Sequence, residues 1–259
     1  MLKKIIIISF IFSIFSSKYL SAQDNSLDTL NFQQSAPQEE EKVYFGIGIG
    51  YHGSLLFGST QTVNDKLAID KFGFSSKLAN RIFMNGIEGT IITFKPKNLR
   101  LSVYWQSGSI GINATQKIAG VDYNKYVDYS AGFTGLGLSY ALMPFKSLAI
   151  LPSLSGGLGR LSIENYRSKS MSWGDLKPPS DTLSYMIRSE WNGYFVAPAL
   201  NIEYAVTEYL VAKFSAMYYY NSKGTWKNNN NFDLKDVPST INNDGLALQV
   251  GVFFGLFNY

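Results

Sequence analysis

Cysteine is absent from this chain, and histidine occurs once, at position 52. Those absences remove disulfide staples, cysteine nucleophiles, a lipid-attached cysteine and any multi-histidine zinc site. No stretch after the N-terminal residues approaches the roughly 18 consecutive apolar residues of a membrane helix, so any membrane crossing must be made by strands. Charge is sparse, at 16% of residues. The formal excess of +4 comes largely from Lys3, Lys4 and Lys18, without which the 23 basic residues become 20 against 19 acidic ones. A nearly neutral chain gives no electrostatic case for nucleic-acid binding, and no cofactor, metal or catalytic set is expected.

What is present begins with a basic start, an apolar run from Ile5 to Phe15, and Ser21-Ala22-Gln23. This pattern predicts a secretory signal peptide over residues 1–22. Residues 23–42 are polar, carry Glu39-Glu40-Glu41 and show no apolar period, which predicts a flexible periplasmic tail.

From Val43 onward, period-2 alternation appears in segment after segment. Phe45, Ile47, Ile49 and Tyr51 alternate with Gly46, Gly48 and Gly50, and Leu246 to Leu256 alternates with a face containing Gly245, Gly251 and Gly255. Similar alternation around Leu99–Gln106, Gly135–Leu142, Tyr194–Tyr204 and Leu210–Tyr220, with less regular runs near Phe83–Phe94 and Leu148–Ser162, predicts about eight strands. Short links at Lys95–Asn98, Met143–Ser147 and Ala205–Glu208 alternate with long polar links at Ser59–Asn80, Ile112–Asp128, Glu164–Ser189 and Asn221–Asp244. The expected fold over residues 43–259 is therefore an all-β, transmembrane up-and-down antiparallel barrel. Both termini would be periplasmic and the long loops extracellular.

One face of each segment is uniformly apolar, and the other mixes small residues with charge. The narrow lumen of an eight-stranded barrel takes the small and charged face, so Glu88, Arg100, Arg160, Glu203 and Lys213 are expected to form an interior charge network. Tyr44, Tyr51, Trp105, Tyr140, Trp191, Tyr204, Tyr209 and Tyr218 are expected at the membrane interfaces. Pro152 and Pro198 fall inside strands and predict a bulge or strand end at each. The apolar face of the last strand is out of register with Phe257 and Tyr259, which suggests a bulge there too. Gly46-Ile47-Gly48-Ile49-Gly50 lacks the spacing of a nucleotide-binding loop and reads as lumen packing. The long links carry Trp173, Trp226, the Asn228–Asn231 run and Phe232, residue types suited to carbohydrate or protein contact.

Ser21-Ala22-Gln23, the Tyr204–Tyr209 turn and the ending Phe257-Asn258-Tyr259 make the chain resemble the small outer-membrane barrels of the OmpA/OmpX and OmpW-like types, most closely the PorT-like barrels of Bacteroidota. The resemblance covers Val43–Tyr259. It implies residence in the cell outer membrane, contact with outer-membrane lipid and lipopolysaccharide, and recognition of Tyr259 by the barrel-assembly machinery. It also implies a surface or secretion partner. Three functions follow: a non-enzymatic structural or surface-binding barrel, a narrow porin-like channel for small or hydrophobic solutes, and a lipid A-modifying enzyme. The last rests on His52 with Ser54, which resembles the His and Ser of lipid A deacylase barrels, with no third residue to orient the imidazole.

Overall fold

A computed structural model describes residues 44–58, 60–64, 74–92, 98–169, 183–222, 224–229, 232–238, 241 and 244–258. These belong to one unit, Lys42–Tyr259. The expected signal peptide, the tail and Tyr259 lie outside the described residues, as do Trp173 and part of the asparagine run.

The strands are β1 (Phe45–Phe57), β2 (Ile82–Ile92), β3 (Leu99–Ile118), β4 (Val121–Tyr140), β5 (Leu142–Phe145), β6 (Leu148–Lys169), β7 (Tyr185–Thr207), β8 (Leu210–Asn221), β9 (Thr225–Asn228), β10 (Phe232–Asp233) and β11 (Gly245–Asn258). Neighbours pair antiparallel, and β11 returns to β1 with Phe45 opposite Asn258 and Phe57 opposite Leu246. β5 prolongs β4 along β6, and β9 follows β8 along β7. The wall is thus a closed ring of eight strands, in which no backbone group at membrane depth needs water as a partner.

The strands run further than the sequence suggested. Ile112–Asp128 is not a loop. β3 and β4 continue in register to Ile118 opposite Val121, closed by Ala119 and Gly120, both at positive φ (48° and 82°), as a two-residue hairpin turn requires. β6 and β7 likewise extend into the expected 164–189 link. β1, β2, β8 and β11 are 11 to 14 residues long, whereas β3, β4, β6 and β7 have 20 to 23. The barrel therefore carries a tall half-wall on one side.

Neither proline produces a bulge. Pro152 and Pro198 lie within β6 and β7, opposite Leu200 and Leu154 respectively. Each coincides with a gap in its strand's other ladder: between Ser139↔Ser153 and Leu142↔Ile150 for Pro152, and between Val196↔Tyr220 and Ala199↔Met217 for Pro198. The missing donor costs least where no ladder bond exists. The last strand is also free of a bulge, and Phe257 points into the lumen, its ring filling the space over Gly46 and Gly48.

The outward face changes character along each tall strand. In the lower part it carries Leu101, Val103 and Trp105 on β3, Leu136 and Leu138 on β4, Leu154 and Leu158 on β6, and Tyr194, Val196 and Leu200 on β7, all exposed or half-exposed. Above Trp105 the same face of β3 continues as Ser107, Ser109, Gly111 and Asn113, and above Leu158 that of β6 continues as Arg160, Ser162 and Glu164. The inward face changes the opposite way, to Val127, Tyr129, Leu161, Ile163 and Trp191. Below this level the molecule is a transmembrane barrel with an apolar exterior. Above it, the wall has a soluble protein's polarity, apolar inside and polar outside. Val63, Phe74 and Leu78, from the β1–β2 connection, pack onto that upper core.

Candidate functional site

The lumen is filled in three layers. At the bottom, Tyr44, Ile92, Ala141, Leu151, Val211, Phe253 and Phe257 form an apolar plug. Above it, four charged side chains meet. Lys213 Nζ donates to both carboxylate oxygens of Glu88, at 2.9 and 2.7 Å. Arg100 Nη2 reaches Glu88 Oε1 at 3.2 Å, and Arg100 Nη1 donates to Glu203. Tyr44 donates its hydroxyl to Glu203 Oε2 at 2.5 Å. Both cations also stand over the Phe253 ring, 5.4 Å for Arg100 and 5.2 Å for Lys213. Two carboxylates against two cations leave no net charge, the condition under which buried ions are tolerated.

The third layer is aromatic. Phe133 stacks on Tyr219 with centroids 4.0 Å apart, and Phe195 meets both edge-on at 5.2 and 5.4 Å. Tyr219 accepts a hydrogen bond from Gln106 Nε2, whose carbonyl accepts one from Ser54 Oγ at 3.2 Å. Between the charged and aromatic layers lies a cavity of about 30 Å³, bordered by Glu88, Ser102, Tyr104, Ser153, Asn201 and Lys213. That is room for a water or two and nothing larger.

Of the five charges expected inside, Glu88, Arg100, Glu203 and Lys213 converge. Arg160 does not. Inward positions on β6 are odd-numbered, among them Leu151, Leu161 and Ile163, and Arg160 shares the outward parity of Leu154 and Leu158. It pairs on the outer wall with Glu190 at 2.6 Å, and Arg188 bridges Glu190 and Glu164 at 2.5 and 3.2 Å. Tyr51, Trp105, Tyr140, Tyr204, Tyr209 and Tyr218 stand on the outside of the wall. Tyr44 and Trp191 are interior, 0% and 6% exposed. Tyr44 has the parity of Gly46, Gly48 and Gly50, and Trp191 that of Phe195 and Glu203. Trp191 is seated against Gly159 and Gly193; a Cβ at Gly193 would collide with its indole ring, and one at Gly159 would press on it.

His52 and Ser54 also face the lumen, not the headgroup boundary. His52 is 1% exposed and flanked across its ladders by Gly86 and Gly251. The alternation of β1 places it with the glycine face, out of reach of lipid. No group of three His, Cys, Asp or Glu side chains able to hold a metal occurs among the described residues.

In the tall β3–β4 hairpin, clear of the membrane belt, burial pushes the Asp128 carboxyl above the ordinary aspartate value. Hydrogen bonds from Tyr126 and Ser109 oppose the rise and Glu164 adds to it. Burial, then repulsion by Arg167, holds the Lys125 ammonium below its usual value. Sequence reading missed Tyr44, Gln106 and Tyr219 as lumen partners, and Glu190 as the outer-wall partner that Arg160 shares with Arg188. Parity alone would have found Tyr44.

The chain is similar in structure to the N-terminal β-barrel domain of OprF from Pseudomonas aeruginosa (14% identity, TM-score 0.39, covering 82% of this chain and 97% of that one). It is also similar to Ail, the attachment invasion locus protein of Yersinia pestis (12%, 0.39, 83% and 99%). A third similar structure is a major outer membrane protein of Thermus thermophilus (10%, 0.37, 81% and 99%). No protein-family model and no curated protein matches the chain.

Proposed function

We propose that this protein is an outer-membrane barrel closed to solutes, which acts non-enzymatically through its extracellular half as a structural or surface-binding element. The observation that carries the reading is the filled lumen. An apolar plug, a neutral ion cluster and an aromatic layer succeed one another across its section, and the enclosed space between the upper two is about 30 Å³. A channel for small solutes needs a continuous wet path, and a lipid-modifying site needs a nucleophile or base at the lipid face. Here His52 and Ser54 are turned inward.

Placement in the outer membrane, with the tall half-wall outside the cell, is supported by the apolar belt and the closed ladder, and by the short turns at the end opposite the half-wall. The resemblance to PorT-like barrels adds a secretion or envelope-assembly partner for that outer surface. Single-channel recording tests the reading. The purified protein is expected to give no discrete conductance, and reproducible unitary steps would overturn the closed barrel. Lipid A from cells with and without the gene is expected to show identical acylation by mass spectrometry.

A further inference from the structure

The outer wall holds a trough where its polarity reverses. Small residues make its floor: Ser107 and Gly108 on β3, Ser130 and Gly132 on β4, Ser162 on β6. Trp105, Leu158 and Tyr194 border it on the membrane side, Arg160 and Arg188 on the other, and Phe83 closes its β2 edge. Its two adjoining parts have volumes of about 660 and 610 Å³. Arg160 stands on the first row beyond the apolar belt, level with Gly132 and Asn192, so it is the charge nearest the hydrocarbon on β6.

Its setting is built rather than incidental. Glu190, its side chain only 7% exposed, holds Arg160 through Nη2 and Arg188 through Nε. The Arg160 side chain stays 55% exposed, and Nη1 and Nε make no hydrogen bond among the described residues. Glu164 and Glu190 balance the two guanidiniums, so the trough has no excess charge. It offers an oriented fork of N–H donors beside hydroxyls and small residues, directly above an apolar belt.

We infer that this trough seats the phosphorylated sugar headgroup of an outer-leaflet glycolipid, with Arg160 donating to a phosphate and the acyl chains lying over Leu158, Leu136 and Val103. Such a lipid presents acyl chain, sugar and phosphate in the vertical order in which the wall presents aliphatic, hydroxyl and guanidinium groups. The inference rests on the outer-membrane placement proposed above, which alone brings such a lipid to this level.

Native mass spectrometry of the full chain in detergent, titrated with bisphosphorylated lipid A, tests it. Wild-type protein is expected to retain the lipid. Losing one charge-assisted contact should weaken retention about tenfold or more in Arg160→Gln. Lys117→Gln, on the same outward face but near the hairpin tip, should leave retention unchanged. Dephosphorylated lipid A should bind the wild type about as weakly as the phosphorylated form binds the variant. Inorganic phosphate at equal concentration should not displace the lipid. Equal binding by Arg160→Gln and wild type, indifference to the phosphates, or displacement by free phosphate would each overturn the site. Heat-modifiable migration of the same samples reports the barrel separately. A normally migrating barrel that ignores the phosphates would therefore defeat this site and leave the outer-membrane reading standing.

Discussion

The side chains that decide the character of this lumen are four ions and one phenol. Glu88 and Glu203 are each held by a cation, Arg100 reaches both, and Tyr44 completes Glu203. Removing one member strands the others in a buried space with room for no more than a water or two. Arg100→Met is expected to cost about 3–5 kcal/mol of barrel stability, because Glu203 loses its cation and Glu88 one of two. Adding Glu203→Met should restore most of the loss, since the remaining Glu88–Lys213 pair is balanced. Urea unfolding of the protein in lipid vesicles, followed by the shift between folded and unfolded gel bands, measures both. A single variant as stable as the wild type would show that the ions do not depend on one another.

Strand by strand, alternation explains both what the sequence disclosed and what it hid. β1 and β11 are legible because large apolar residues alternate with a face rich in glycine over Phe45–Tyr51 and Gly245–Leu256, and the inward parity of Glu88, Arg100, Glu203 and Lys213 follows from neighbouring small residues. Arg160, Tyr44 and Trp191 lie opposite to what their residue types suggest, because parity along the strand and not side-chain chemistry sets the face: the charge is outside and the two aromatic rings are inside. The upper β3–β4 hairpin has the composition of a loop because its outward residues, Ser109, Asn113, Thr115 and Lys117, are polar. They face water, and its inward Ile110, Ile112 and Ala114 pack on the upper core. The glycines have a specific cause at one place. A Cβ on Gly48 would lie 2.5 Å from Cζ of the Phe257 ring, so β1 and the last turn of β11 fit only if one of them is bare. Gly48→Ala is expected to destabilise by about 1–3 kcal/mol through overpacking. The companion Gly48→Ala/Phe257→Leu should regain part of it. Chemical unfolding midpoints of the two variants decide the point, and an unchanged midpoint for Gly48→Ala would mean that the ring has room to move.

At the scale of the whole molecule, one chain is a membrane protein in its lower half and a water-facing barrel in its upper half. Trp105 marks the changeover from outside, while Trp191 and Trp226 lie inside the upper half, opposite one another across β7 and β9. Variants keeping a single tryptophan and reconstituted with brominated lipids should therefore differ. Trp105 fluorescence is expected to be strongly quenched, and that of Trp191 or Trp226 little affected; equal quenching of all three would put the changeover at another level. The reversal of the wall also gives the barrel a draught, as a hull has. Sinking by one outward row carries Arg160 toward the hydrocarbon, a move that costs an arginine roughly 2–4 kcal/mol once it reaches the bilayer centre. Rising by one row lifts Trp105, Leu158 and Tyr194 into water, at about 25 cal/mol for each Å² of apolar surface uncovered. Both displacements are opposed, so the waterline is written into the strands themselves, which set the height of the tall half-wall above the bilayer.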